Sequence, residues 1–335
     1  MEILVVIPWG IDSGAGVEKN STLVLNALAT DFSIKVVVVG MVDESVRENF
    51  NENIEVDYIK VSRVRESILP LRAIIKESNP DIIIGNIPSS CIATYIALVL
   101  SGGRAKFISV NHGFDTGSFF DRLSANLLGI FSDKVIAVSE GVKKSVLLGR
   151  EKTTVIYNAF DIKGIQEQAE AEIEHFSKPY VVYVGRLHDK QKGLSTLMKA
   201  TKLAGQDLVV VGDGEDRHVV EEANLVGWKR NPFPYIKGAE ALVLSSNFEG
   251  FGRILVEALS LGVSVVSTDC KSGPSEILEN GKYGILVPVG DAKMMADAIR
   301  EVVKNPFNKE ELIKRAEFFD VKRAVESYRK LLYEI

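Results

Sequence analysis

Two glutamates set eight residues apart carry the strongest chemical signal in this chain. In Asn247-Phe248-Glu249-Gly250-Phe251-Gly252-Arg253-Ile254-Leu255-Val256-Glu257-Ala258-Leu259, Glu249 ends a loop after an apolar strand, Gly250 and Gly252 open a helix, and Glu257 lies one to two turns inside it. The apolar residues around Glu257 leave that helix little solvated face, and an unpaired buried carboxylate is costly, so this acid needs a partner. The hydroxyls of a sugar or a ribose would serve. A second group lies upstream, where an apolar strand runs into Gly185-Arg186-Leu187-His188-Asp189-Lys190-Gln191-Lys192-Gly193. Gly185 frees the backbone at the strand's edge. Arg186, a planar fork, and Lys192, a point charge, can set two cations over a diphosphate; a solvated basic loop is the plainer alternative.

Weaker signals stand in the first half. Ile7-Pro8-Trp9-Gly10-Ile11-Asp12-Ser13-Gly14-Ala15-Gly16-Val17-Glu18 joins a strand to a helix pattern. Glycines there let backbone N–H groups approach an anion at a helix N-terminus. A dinucleotide fingerprint would need a third glycine where Lys19 stands, which argues against a nicotinamide cofactor. His112, one of four histidines, follows a strand and precedes Gly113. Asp-x-Asp occurs nowhere, and Asp213 and Asp216 read as a turn after a strand, so no metal site is expected. Phe119 and Phe120 are candidates for an acceptor side, or for core.

The elements that must position these residues are legible as alternation. Short β-branched runs, from Ile3–Ile7 to Gly284–Val287, alternate with helical patterns, and many are apolar throughout, as strands covered on both faces should be. This predicts βαβ units and parallel sheets. The polar stretch 161–178 breaks the rhythm and reads as a linker, dividing the chain into residues 1–163 and 164–320. A last amphipathic helix, 321–335, has two possible seats: on the second domain, or back on the first.

Composition narrows the class. The 335 residues are enough for about two domains. The 46% hydrophobic and 25% charged residues are ordinary for a globular protein. A net charge of −5 gives no basic field for nucleic acid. Cys91 and Cys270 are too few for a disulfide framework, which favours the cytoplasm. The apolar stretch Cys91–Leu100 is too short to span a membrane and reads as a buried helix. Four cations interleaved with apolar residues in Arg63–Lys76 form a candidate peripheral contact with the inner face of a membrane, against the alternative of an ordinary solvated helix face.

Taken in order, Gly14–Glu18, Val184-Gly185-Arg186-Leu187 with Lys192-Gly193, the Glu249/Glu257 pair and Gly284-Ile285-Leu286-Val287 resemble the retaining glycosyltransferases of family 4, of bacterial polysaccharide or lipopolysaccharide type. Val155–Asp161 resembles that family's hinge segment. The resemblance implies two Rossmann-like, doubly wound α/β domains facing a central cleft, the GT-B fold, with the first domain on the acceptor side and the second binding the nucleotide sugar. It implies that Glu257 holds the ribose and Glu249 the donor sugar near its reacting carbon. Arg186 and Lys192 would neutralise the departing diphosphate, with amides at Gly14, Gly16, Gly252, Ile254 and Leu255 completing the cradle and His112 beside the sugar. A hexose or N-acetylhexosamine would move from a UDP-linked donor to a hydroxyl of a growing surface glycan or lipid-linked acceptor, without a metal. No residue offers itself as a covalent nucleophile, which favours front-face attack. A UDP-sugar 2-epimerase of the same fold and a non-catalytic nucleotide- or glycan-binding subunit are the alternatives.

Overall fold

The computed structural model describes residues 1–9, 15–41, 44–113, 119–174, 176 and 179–335. Its contacts divide the chain into two compact units, Met1–Ala159 with Val321–Ile335, and Phe160–Asp320.

The first unit holds a seven-stranded sheet, β1 (Glu2–Pro8), β2 (Ser33–Val39), β3 (Glu55–Ile59), β4 (Ile82–Asn86), β5 (Lys106–Asn111), β6 (Lys134–Ala137) and β7 (Thr153–Val155). Every pairing is parallel, in the order 3-2-1-4-5-6-7. The second unit holds β8 (Tyr180–Val184), β9 (Asp207–Val211), β10 (Asn224–Gly227), β11 (Ala241–Leu244), β12 (Ser264–Thr268) and β13 (Ile285–Val287), also all parallel, in the order 10-9-8-11-12-13. Both orders reverse direction beside their first strand. That reversal opens a crevice at the carboxyl ends of β1 and β4 in one sheet and of β8 and β11 in the other, the place where doubly wound sheets bind ligands.

The strands form because their residues are β-branched and both faces are covered: Ile3 to Ile7, Val36 to Val39, and Leu242 to Leu244 are all essentially inaccessible to water. One strand escapes the sequence pattern. β10 is four residues long, at the edge of its sheet and half-exposed, so it carries no apolar run to announce it.

Two sequence expectations change. The stretch read as a linker is not one: the second unit already begins at Phe160, and the helix Ile162–Gln168 buries Ile162 and Ile165 within it. Gln166 reaches across to the Ser260 carbonyl at 2.9 Å. The polar surface of this helix masked an apolar edge too short to show as periodicity. The helix Pro88–Ser101 is buried only on one side; Ile96, Val99 and Leu100 stand exposed. In Arg63–Lys76 the apolar residues Val64, Leu71 and Ile75 turn inward while Leu69 stands 70% exposed among solvated cations, an amphipathic surface stretch compatible with either of its readings. Among the described residues no helix is long and apolar enough to cross a membrane.

The helix Val321–Tyr333 packs on the helix Ala15–Leu28, with Arg329 paired to Asp31 at 2.6 Å and Tyr333 against Phe32. In the second unit, Phe160 pairs through its backbone with Asp320, so the chain enters and leaves that unit side by side.

Candidate active site

The second sheet's crevice brings Lys192 and Glu249 together. Lys192 ends the short helix Asp189–Lys192 after β8, and Glu249 lies in the loop between β11 and the helix Arg253–Ser260. Lys192 Nζ lies 2.5 Å from Glu249 Oε1, with both side chains largely buried. Such a pair needs close geometry and further hydrogen bonds to offset the desolvation of two charges. One such bond reaches the carboxylate itself, and two more hold the backbone behind it. Ser246 Oγ donates to the same Oε1 at 2.7 Å, and Ser272 Oγ donates to the Glu249 carbonyl at 2.8 Å. Thr268 Oγ1, at the end of β12, donates to the Ser246 carbonyl at 2.5 Å.

The loop after β11 is laced to the segment after β8. The Asn247 amide donates to the Gln191 carbonyl at 2.8 Å, Asn247 Nδ2 to the Lys190 carbonyl at 3.0 Å, and Ser245 Oγ to the Lys192 carbonyl at 2.7 Å. Gly193 makes this close approach possible. Its φ is +60°, and a Cβ there would sit 2.3 Å from the Ser245 carbonyl oxygen.

The other predicted residues do not join the pair directly. Arg186 is exposed at the carboxyl end of β8; its carbonyl accepts from the Tyr183 hydroxyl at 3.0 Å, while its guanidinium makes no ion pair among the described residues. Glu257 is buried in the helix Arg253–Ser260 and faces Arg253, 4.0 Å away and one turn back. Arg253 in turn stacks on the Phe160 ring at 4.1 Å, and burial lowers its pKa, partly opposed by Glu257. The partner that Glu257 required is thus in part a protein cation, and the i, i+4 spacing of Arg253 and Glu257 was the available signal. Gly252, with φ +90°, is the cap residue before this helix. Of the two cradle amides assigned within this helix, Ile254 and Leu255, that of Leu255 already donates to the Gly252 carbonyl at 3.0 Å.

Burial pushes the Cys270 thiol up to about 12, and the charge of Glu249 adds to the shift while that of Lys192 opposes it. Burial, with Glu249 again contributing, also raises the Tyr183 phenol. Both therefore present protonated, neutral groups around the carboxylate at neutral pH. Of the groups that hold Glu249, sequence reasoning missed Ser246, Thr268 and Ser272. Ser246 lies three residues before Glu249, a local signal; Thr268 and Ser272 arrive from the next βα unit and carry none.

In the first unit, His112 is buried beyond the end of β5, with Nε2 3.4 Å from Asn86 Oδ1 at the end of β4. Ser21 Oγ reaches the same oxygen at 3.4 Å. Gly16 belongs to the first turn of the helix Ala15–Leu28 rather than to the preceding loop. Gly14 lies outside the described residues, and so do the side chains of Phe119 and Phe120.

Among the described residues, one group has metal-ligand character: His188, Glu215 and Asp216, whose ligand atoms lie within 4.8 Å of one another. These atoms already serve one another and the backbone. His188 Nε2 is 3.2 Å from Glu215, and Asp216 Oδ2 accepts the Asp189 amide at 2.7 Å, in the turn expected after β9.

Known proteins resemble this chain in sequence and fold. A family model described as Glycosyltransferase Family 4 matches residues 26–163, and one described as Glycosyl transferases group 1 matches residues 178–305. An uncharacterized glycosyltransferase of Methanocaldococcus jannaschii is 24% identical over 88% of this chain and 89% of its own length. The lipopolysaccharide 1,6-galactosyltransferase of Salmonella typhimurium is 30% identical over 64% of this chain; the match spans 64% of that enzyme. Among solved structures, Anabaena HepE in complex with UDP-glucose superposes with a TM-score of 0.80 at 21% identity, covering the whole of both chains. With a glycosyltransferase model on each half and two doubly wound parallel sheets beneath them, the chain belongs to the family-4 glycosyltransferases and has the GT-B fold.

Proposed function

We propose that this glycosyltransferase moves a hexose or N-acetylhexosamine from a UDP-linked donor to a hydroxyl of a growing surface glycan or lipid-linked acceptor, with retention at the anomeric carbon and without a metal. The observation that carries the reading is the Lys192–Glu249 pair at the crevice between β8 and β11. A carboxylate there can accept hydrogen bonds from sugar hydroxyls, while the adjacent ammonium and Arg186 face the charge that grows on a departing diphosphate. Fixed cations stabilise that charge more in the transition state than in the ground state. Front-face attack, with the leaving phosphate oxygen taking the acceptor's proton, asks nothing more of the protein. The Salmonella relative acts on lipopolysaccharide and the Anabaena structure holds UDP-glucose, which supports the acceptor class and the base. His112 is assigned to the donor sugar.

The test is a mass-spectrometric screen of nucleotide sugars against glycan and lipid-linked acceptors in the presence of EDTA. We expect acceptor-dependent release of UDP, with NMR of the product showing the donor's own anomeric configuration. An inverted linkage overturns the mechanism, and a free UDP-sugar epimer without acceptor overturns the reaction. Glu257 is assigned to the ribose. Glu257→Ala should weaken UDP binding by about tenfold in calorimetry, the loss of one charge-assisted hydrogen bond; unchanged affinity would remove that role.

The enzyme is proposed to work in the cytoplasm, in peripheral contact with the membrane that presents a lipid-linked acceptor. The contact surface adjoins the cationic stretch suggested by sequence, through Arg72. Val99 and Leu147 are 60% and 68% exposed, near Ile96, Leu100, Ile130 and Leu148. Tyr95 stacks on Phe131 at 4.5 Å, and the Leu147 and Leu148 amides both donate to Asn126 Oδ1, so these residues share one face. Arg72 bonds the Leu100 carbonyl at its margin. Exposed apolar side chains with a cation at their margin suit an anionic bilayer. Vesicles rich in phosphatidylglycerol should sediment the protein and phosphatidylcholine vesicles should not, and Val99→Glu with Leu147→Glu should abolish the difference.

A further inference from the structure

We infer that Ser246 is a positioning residue that divides the two carboxylate oxygens of Glu249, one for the protein and one for the donor sugar. The inference rests on the assignment of Glu249 to the donor made above. Glu249 Oε1 receives Lys192 Nζ at 2.5 Å and Ser246 Oγ at 2.7 Å. A carboxylate oxygen offers two lone pairs, so Oε1 is filled. Oε2 receives no hydrogen bond among the described residues, which leaves both its lone pairs for hydroxyls.

The division depends on the serine. A carboxylate turns easily about its last torsion, and its two oxygens are chemically identical. Lys192 cannot distinguish them, because an ammonium is a compact charge that follows whichever oxygen is nearer. The hydroxyl of Ser246 is directional and fixed. Ser246 is wholly buried, its carbonyl is held by Thr268 Oγ1 at 2.5 Å, and Ser272 Oγ holds the Glu249 backbone at 2.8 Å. Three hydroxyls from two βα units therefore set both the backbone and the rotation of one carboxylate. With Oε1 fixed, Oε2 presents its lone pairs in one direction, which suits a sugar whose hydroxyls point that way and not its epimer.

The experiment compares Ser246→Ala, Ser246→Thr and Glu249→Gln for transfer, UDP affinity and melting temperature, with UDP-glucose and its C4 epimer UDP-galactose as donors. We expect Ser246→Ala to lower kcat by about ten- to a hundredfold and to narrow the preference between epimers, with the Kd for UDP close to wild type and only a small fall in melting temperature, well short of that in Lys192→Ala. Ser246→Thr keeps the hydroxyl and should recover activity to within a few-fold. If Glu249→Gln is impaired while Ser246→Ala transfers normally, or if Ser246→Ala loses UDP affinity and stability in step with activity, the positioning role falls. If Glu249→Gln itself transfers normally, the donor assignment of Glu249 falls first. Thr268→Val, which frees the Ser246 carbonyl without touching the carboxylate, should give a smaller change in the same direction; no change in epimer preference would also count against the inference.

Discussion

Lys192→Ala is expected to lower acceptor-dependent transfer by about 10²–10³-fold, the cost of deleting one preorganised charge at a developing anion. The same change should destabilise the protein. It leaves Glu249, which is 7% exposed, without its cation, and an uncompensated buried charge costs about 3–5 kcal/mol. The two effects separate in the double variant Lys192→Ala with Glu249→Gln. Removing both charges should restore much of the melting temperature, since Ser246 can still donate to the amide oxygen, and none of the activity. Stopped assays of UDP release and a thermal melt on the three proteins decide the matter. Transfer by Lys192→Ala within threefold of wild type would show that the leaving group is stabilised elsewhere.

The second large effect is steric. In Gly193→Ala, the new methyl would meet the Ser245 carbonyl oxygen at 2.3 Å, from a residue whose φ is +60°. The helix Asp189–Lys192 ends at Gly193 and the helix Leu194–Ala204 begins from it, so the strain can relax only by moving these helices off the loop that carries Glu249. That would open the Lys192–Glu249 pair. We expect a loss of about 3 kcal/mol, combining the left-handed backbone and the clash, and a fall in melting temperature of roughly 6–12 °C. Gly205→Ala is the control. Gly205 has φ +69°, but nothing lies within 4 Å of its would-be Cβ. It should cost only the conformational preference, about 1 kcal/mol. Equal melting temperatures for the two variants would refute the close-approach argument, and full activity in Gly193→Ala would show that the crevice tolerates the displacement.

The fold was legible where local sequence and burial agree. Runs such as Ile82–Ile84 and Val36–Val39 are apolar on both faces because helices cover both faces, and that coverage writes itself into the residues. Where an element is short or one-sided the signal fades. β10 has too few residues, and the helix Ile162–Gln168 shows only Ile162 and Ile165 to the core. The helix Pro88–Ser101 errs in the other direction: composition made it look wholly buried, yet only one face is covered.

In the candidate site, the sequence by itself determined the residue types and the strand-to-helix turns that they follow or flank. Glu249, Glu257, Arg186 and Lys192 each follow or flank a glycine-punctuated turn, because a chain that turns sharply out of a buried strand needs those glycines. Apart from the i, i+4 pair of Arg253 and Glu257, only the tertiary structure decided who pairs with whom. Lys192 and Glu249 are 57 residues apart, and they meet because β8 and β11 are neighbours at the point where the sheet order reverses. Glu257 instead takes Arg253, and Thr268 and Ser272 reach the loop that carries Glu249 from the strand beyond. Periodicity reports which face of an element is dry, since burial acts on each residue where it stands. Partnership between side chains depends on strand order and on approaches of a few tenths of an ångström, and no local pattern encodes either.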